Sequence, residues 1–259
     1  MKSKIVILIL LSCCLAFCAS AQKRIEQAKE KDPQYQYNLG LYYLNNNELD
    51  QAIRYFDKSL SLNPRYFVAF YGRGLAYSMK GNLEESQRSL QKCLEISPPF
   101  SEARNALGMV YQELGYLDRA AEEFTRAMAD PNYNSKELPA FNLAKLFLTQ
   151  NKLDQALEMA RKSIGFNNRY ALGHNLEGFL LEKQDLLPDA IASYEKALKL
   201  VPGEVNFSFN LGAAYFKNEE FRKAEEVFSR ILPKTTDAEQ RAKINEYLKL
   251  IKEKSKSAP

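Results

Sequence analysis

His174 is the one histidine of the 259-residue chain, and Cys93 is the one cysteine beyond Cys13, Cys14 and Cys18. Nucleophilic or general-base chemistry needs a second group within hydrogen-bond reach, and neither residue has such a partner at a recognisable spacing. His174 sits in an apolar helical stretch and is expected in the core. Cys93 takes a position filled elsewhere by Ala127 and Ala197, so it is expected to be buried as a small hydrophobe. The pairs Glu84-Glu85, Glu122-Glu123 and Glu225-Glu226 fall early in helical stretches. Carboxylates there favour the helix dipole, and they read as solvated faces rather than acid/base pairs. CxxC, HExxH, GxSxG and phosphate-loop patterns are absent, and Gly72-x-Gly74 is a chance pair inside a helix. No catalytic residue, metal ligand, cofactor or disulfide framework is expected.

A second kind of chemistry lies in the asparagines. Asn38, Asn105, Asn142, Asn175 and Asn210 recur about once per repeat of the chain. A primary amide both donates to and accepts from a peptide backbone. Apolar and aromatic residues lie between these amides, a combination that suits an extended or helical peptide with apolar anchors. The competing use of the same amides is to bond neighbouring helices and stiffen the fold.

These side chains are positioned by an internal repeat. Leu39-Gly40, Tyr43, Ala52, Phe56 and Pro64 set a pattern that returns with a small residue at Gly74, Gly108, Ala144, Gly178 and Gly212. The step is 34 residues except between the third and fourth copies, where it is 36. Each copy reads as two antiparallel helices, the first from about Gln34 to Asn45 and from about Leu49 to Leu62, joined by short polar turns. Asn and Gly in those turns suit left-handed backbone, and Pro64, Pro98 and Pro202 end the second helices. The small residues of the first helix are expected to face Ala52, Ala120, Ala156, Ala190 and Ala224, with Tyr43, Tyr77, Tyr111, Phe147 and Tyr215 filling space toward the next copy. The two extra residues fall within 130–139 and are expected to divide the array into two halves of three.

The chain resembles the tetratricopeptide repeat family on these residues and this spacing. The resemblance implies an all-α fold, a right-handed α-α superhelix (solenoid) of six helix pairs over residues 33–236. The copies span 33–66, 67–100, 101–136, 137–170, 171–204 and 205–236. The fourth is the most degenerate, with Ala160 where an aromatic is usual. A lead segment, 22–32, precedes them. A capping helix at 237–253, with Ala242, Tyr247, Leu248 and Ile251 as its apolar stripe, follows, and 254–259 is expected to be a disordered tail. In this family the first helices line the concave face. Register then gives the partner-binding groove as Tyr37, Asn38, Leu41, Leu44, Tyr71, Leu75, Met79, Asn105, Met109, Phe141, Asn142, Lys145, Asn175, Phe179, Phe209 and Asn210. Chaperone-binding members grip a terminal carboxylate with Lys and Asn. Their first-repeat positions here are Tyr37 and Leu41, so that clamp is absent.

Apolar residues at 46% can fill a continuous core, and the formal charge is only +4. Lys2 and Lys4 supply two of those charges, and a chain so near neutrality lacks the basic field that nucleic-acid binding requires. Residues 1–21 read as an export signal, with Lys2 and Lys4 followed by an apolar run from Ile5 to Leu11 that is too short to span a membrane. Two cleavage sites compete. Leu10-Leu11-Ser12-Cys13 resembles a bacterial lipobox, which would lipidate Cys13. Ala19-Ser20-Ala21 is a small-x-small site before Gln22.

An exported chain of six such repeats resembles the pilotin lipoproteins of type IV pilus biogenesis. The leader, the repeat number and the longer connection Ala129-Asp130-Pro131-Asn132-Tyr133 through Leu138-Pro139-Ala140 carry that likeness. It implies a non-catalytic, monomeric scaffold in the periplasm, anchored to the outer membrane if Cys13 is lipidated. Such a scaffold helps a secretin subunit reach the membrane and assemble. The alternatives are an adaptor of another envelope complex, in cell-wall synthesis or outer-membrane assembly, and a regulatory partner of an enzyme.

Overall fold

The computed structural model describes residues 26–257, so the leader, with both cleavage sites and Cys13, lies outside the described residues. All regular structure among the described residues is helical. Residues up to Tyr116 form one compact unit and residues from Leu117 a second. The division falls in the turn of the third helix pair, not at the longer connection where the sequence placed it.

In the first unit, residues 26–30 are helical and precede α1 (Pro33–Asn45), α2 (Leu49–Leu62), α3 (Phe67–Met79), α4 (Leu83–Ile96) and α5 (Ser101–Glu113). Asp32 caps α1 by accepting from the Gln34 amide at 2.9 Å, and Pro33 fills the first turn, where a missing N–H costs nothing. Buried Gln36 ties the preceding segment down by donating to the carbonyl of Glu30 at 3.0 Å.

The second unit holds α6 (Leu117–Ala129), α7 (Glu137–Thr149), α8 (Leu153–Phe166), α9 (Ala171–Lys183), α10 (Leu187–Leu200), α11 (Val205–Lys217) and α12 (Phe221–Ile231). A single 3-10 turn (Leu232–Lys234) leads into α13 (Ala238–Ser257). Residues 254–257, expected to be disordered, are therefore helical. The connection from α6 to α7 is folded around Asp130, whose carboxylate accepts from the Asn132 amide at 2.9 Å, and it buries Tyr133.

The turns within the pairs all reverse in the same way. Asn47, Gly81, Gly115, Asn151, Asp185 and Glu219 have positive φ, between 58° and 81°. Glycine and asparagine adopt this conformation readily, whereas Asp185 and Glu219 hold it without either type.

The core differs from the expected packing of small residue on small residue. The space beside Gly40, Gly74, Gly178 and Gly212 is filled by a large residue of the second helix. A Cβ added to Gly40 would lie 2.5 Å from the Phe56 ring, one on Gly178 2.7 Å from Tyr194, and one on Gly212 2.8 Å from Phe228. Ala52, Ala120, Ala156, Ala190 and Ala224 are fully buried elsewhere on those helices. The rule explains the fourth copy: Ala144 carries the extra Cβ, and its partner position is Ala160 rather than an aromatic.

The aromatics one turn further along make contacts within their own copy and with the preceding one. Tyr43 stacks on Tyr55 of its own pair at 5.1 Å, and Tyr77 packs against the core that contains Phe56. Tyr111 accepts from Gln91 at 3.0 Å, and Tyr215 donates to Glu195 at 2.5 Å. Tyr43 also packs against the cluster that includes Ala76, a residue of the next copy.

In α13 the stripe at helical spacing is Ile244 and Ile251, both buried, with half-buried Tyr247 and Leu248, whereas Ala242 is exposed. Tyr247 stacks on Phe228 at 4.9 Å, which fixes α13 against the last helix pair.

Candidate functional site

In each unit the first helix of a pair turns one face to its partner and leaves the opposite face open. On α1 the open face carries half-buried Tyr37 and Leu41 and exposed Asn38. Tyr37 packs against Phe56 at 5.8 Å and Tyr66 at 5.6 Å. Burial, with Tyr66 alongside, pushes its phenol above the ordinary range. Asn38 accepts from Gln34 at 3.0 Å. Leu44 does not belong to this face. It lies in the core with Ala52, Ile53, Phe56 and Ala76, because it falls on the buried side one helical turn beyond Gly40.

On α3, Tyr71 meets Phe100 edge to face at 5.1 Å, and burial, then Glu102, pushes its phenol up to about 12. Leu75 is half-buried against the Phe56 core. Met79 is 56% exposed, and Met109, on α5 beside half-buried Asn105, is 39% exposed.

In the second unit, α7 buries Pro139, Ala140, Leu143, Ala144 and Leu146. Phe141 and Asn142 are half-buried on its other side, and Lys145 is exposed there. Phe141 meets Tyr170 edge to face at 5.4 Å. On α9 the open face holds half-buried Asn175 and Phe179, and on α11 half-buried Phe209 and Asn210.

The asparagines occupy two register positions rather than one. Asn38, Asn142 and Asn210 stand two residues before the small residue of their helix, Asn105 and Asn175 three before it. Asn210 Nδ2 donates to Asn175 Oδ1 at 3.0 Å, one member from each register, across adjacent repeats. Of the two expected uses of asparagine, this bond is the one between neighbouring helices. The amide–amide bond ties α9 to α11, while Asn175 keeps its NH2 group and Asn210 its carbonyl for a peptide unit.

Two clefts in this unit include residues that register reasoning missed. One, of 660 Å³, runs between the starts of α9 and α11, with Tyr170, Leu172, Asn175, Val201, Asn206 and Phe207 in its lining. Leu172 is 46% exposed and lies three residues before Asn175, a spacing that marks the same helix face. The other, of 410 Å³, is enclosed by Phe209, Lys243, Glu246, Tyr247 and Leu250. Its second wall is α13, and no repeat pattern could supply residues from that helix.

His174 and Cys93 stay out of the open faces. His174 is buried and its Nε2 lies 3.0 Å from the Asn168 carbonyl. An acceptor there requires the ring to donate, so Nε2 carries a proton. Cys93 is fully buried and its thiol is pushed up to about 12 by that burial. We expect Cys93 to resist a thiol-specific disulfide reagent at about pH 8 in the native protein and to react fully in denaturant. Fast labelling of the native thiol would contradict its placement.

Among the described residues, no group of three or more His, Cys, Asp or Glu is placed to hold a metal ion. No helix there is long and apolar enough to cross a membrane.

Comparison with known proteins agrees with this architecture. Tetratricopeptide repeat models match residues 33–66, 55–88 and 101–129. The model of the C-terminal ARM domain of tetratricopeptide repeat protein 21 matches residues 131–245. The chain is built from tetratricopeptide repeats. Human tetratricopeptide repeat protein 21A is 28% identical over 96 residues, which is 37% of this chain and 7% of the relative. The chain thus spans only a small part of the length of the curated relatives it matches. Among solved structures, PilF of Pseudomonas aeruginosa superposes with a TM-score of 0.74 at 17% identity, covering 85% of this chain and 99% of that one. PilW, described as a widely conserved type IV pilus biogenesis factor, gives a TM-score of 0.74 at 17% identity, covering 82% of this chain and 97% of that one. At these identities the likeness is one of fold, and it extends to nearly the full length of both pilus proteins.

Proposed function

We propose that this tetratricopeptide repeat chain is a non-catalytic holding factor for a partner protein. It binds an exposed segment of that partner along the open faces of its first helices. The observation that carries this reading is the composition of those faces. Met109, 39% exposed, shares a helix face with Asn105, and Leu172, 46% exposed, shares one with Asn175, while Met79 is 56% exposed. Exposed apolar side chains grouped with polar ones mark interaction surfaces more often than chance.

Tyr37 and Leu41 also serve the core, so the test is placed on exposed positions. Met79→Glu with Met109→Glu is expected to weaken partner capture by at least about 10-fold, as loss of apolar anchors at an interface does. Thermal unfolding is expected to stay within a few degrees of the parent. Undiminished capture by this variant would refute the assignment for the first unit.

The partner we propose is a secretin subunit, with the chain acting as a pilotin in type IV pilus biogenesis. The fold shared with PilF and PilW over nearly their whole length supports this. Residues 1–21 would direct the chain to the periplasm as a monomer, and a lipid on Cys13 would hold it at the outer membrane. Capture from envelope extract is expected to recover secretin, and deletion to reduce secretin rings. Normal rings after deletion would sink the pilus role while leaving the scaffold reading in place. The intact mass of the mature protein distinguishes a start at acylated Cys13 from one at Gln22.

A further inference from the structure

The open face of the second unit differs in charge from that of the first. On α7, Lys145 Nζ lies over the Phe141 ring at 5.6 Å from its centre, and on α9 Lys183 Nζ lies over Phe179 at 5.3 Å. Both lysines are exposed, and among the described residues neither has a carboxylate within ion-pair distance. Most carboxylates near this face are already engaged. Glu182 holds Lys217 at 2.6 Å and accepts from Tyr194 at 2.9 Å. Glu177 holds Arg161 and Ser193, both at 3.1 Å. Glu204 caps α11 by accepting from the Asn206 amide at 3.2 Å. Glu246, in the cleft against α13, stands with Lys243, which itself pairs with Glu239 at 2.7 Å. In the first unit the positions one residue after the small residue are Leu41, Leu75 and Met109, and those five after it are Asn45, Met79 and Glu113, so no lysine stands at either place.

We infer that the segment held by the second unit is acidic, with carboxylates meeting Lys145 and Lys183 and apolar side chains resting on Phe141, Phe179 and Phe209. This deepens the scaffold reading above and rests on it. A cation over an aromatic face remains open on its outer side, so a carboxylate can approach without displacing it. Lys145 stands one residue after the small position of its helix and Lys183 five after it, an offset of four residues or about 6 Å along the helix axis. First helices of neighbouring repeats packed about 10 Å apart then put the two ammonium groups about 12 Å from each other. An extended chain covers that distance in three to four residues. The bound segment therefore carries acidic residues three or four apart, with apolar residues between them, and its backbone meets the free amide groups of Asn175 and Asn210.

The experiment uses the full mature chain and a fluorescein-labelled peptide with glutamates three or four residues apart among leucines and serines. Two controls replace the glutamates with glutamine or with lysine. The glutamate peptide is expected to bind at least about 10-fold more tightly than the lysine peptide. Its binding is expected to weaken several-fold between about 50 and about 500 mM salt, as screening of exposed charge requires. Lys145→Glu with Lys183→Glu should erase that preference, at least about a 10-fold loss for the glutamate peptide, with an unchanged helical circular dichroism spectrum. Lys145→Gln with Lys183→Gln should give an intermediate loss. Equal binding of all three peptides, unaffected by the charge reversal, overturns the acidic assignment while the groove reading stands. Absence of binding by every peptide overturns both. Capture of phosphatidylglycerol vesicles in place of the peptides, lost on charge reversal, also overturns it, since the face would then serve a lipid surface.

Discussion

Phe56→Ala is expected to lower the stability of the first unit by about 3–5 kcal/mol, the range for deleting a fully buried aromatic ring. The ring is 0% exposed and touches two helices that belong to different repeats. A Cβ on Gly40 of α1 would lie 2.5 Å from it, and one on Gly72 of α3 would lie 2.6 Å from it. Truncation therefore loosens the packing within the first pair and the packing of the first pair on the second. In a repeat protein these are the two terms that sum to stability. Urea unfolding should show the loss in its midpoint, and amide exchange should quicken in α1 and α3 together. Phe166→Ala is the control: that ring is 48% exposed, and its loss should cost no more than about 0.5 kcal/mol. If Phe56→Ala behaved like Phe166→Ala, the clamped ring would not be the joint between repeats.

Ending the chain after Asp237, and so removing α13, is expected to cost about 5 kcal/mol or more and to make the protein associate. α13 covers Phe228, which is 0% exposed, by stacking Tyr247 on it at 4.9 Å. Tyr247 also meets Phe209 at 6.2 Å and Phe216 at 5.1 Å, and α13 buries its own Ile244 and Ile251. Each such side chain contributes about 1.5–3 kcal/mol by leaving water. The uncovered faces would form a contiguous apolar patch of the kind that drives association. Light scattering should report the association, and urea unfolding the loss of stability. Leu250→Ala, at a position 37% exposed, should do neither. A truncated chain that stays monomeric and as stable as the parent would show that α13 is an appendage and not a cap.

Some of this was legible in the residue pattern and some was not. Helix boundaries followed from the repeat, because Pro64, the Asn- and Gly-containing turns and the apolar spacing act locally along the chain. The exclusion of Cys93 from chemistry was also legible, since its position holds alanine in sister repeats. What filled the space beside each small residue was not. Sequence suggests small on small, but a residue without a Cβ leaves room for a ring, and Phe56, Tyr194 and Phe228 take that room. Register along a single helix puts Leu44 in the groove. It is buried because α2 and α3 close over that side.

The sequence by itself determined the number and length of the helices, the turns between them and the recurrence of amides and apolar residues on one face. These depend on contacts a few residues apart, repeated six times. Tertiary structure decided which of those residues are available. It bonded Asn210 to Asn175, added Tyr247 and Leu250 to the groove from a helix outside the repeat, and left Lys145 and Lys183 without carboxylates. Those outcomes depend on which side chains from distant positions arrive at the same place, and a repeat read one unit at a time carries no record of its neighbours.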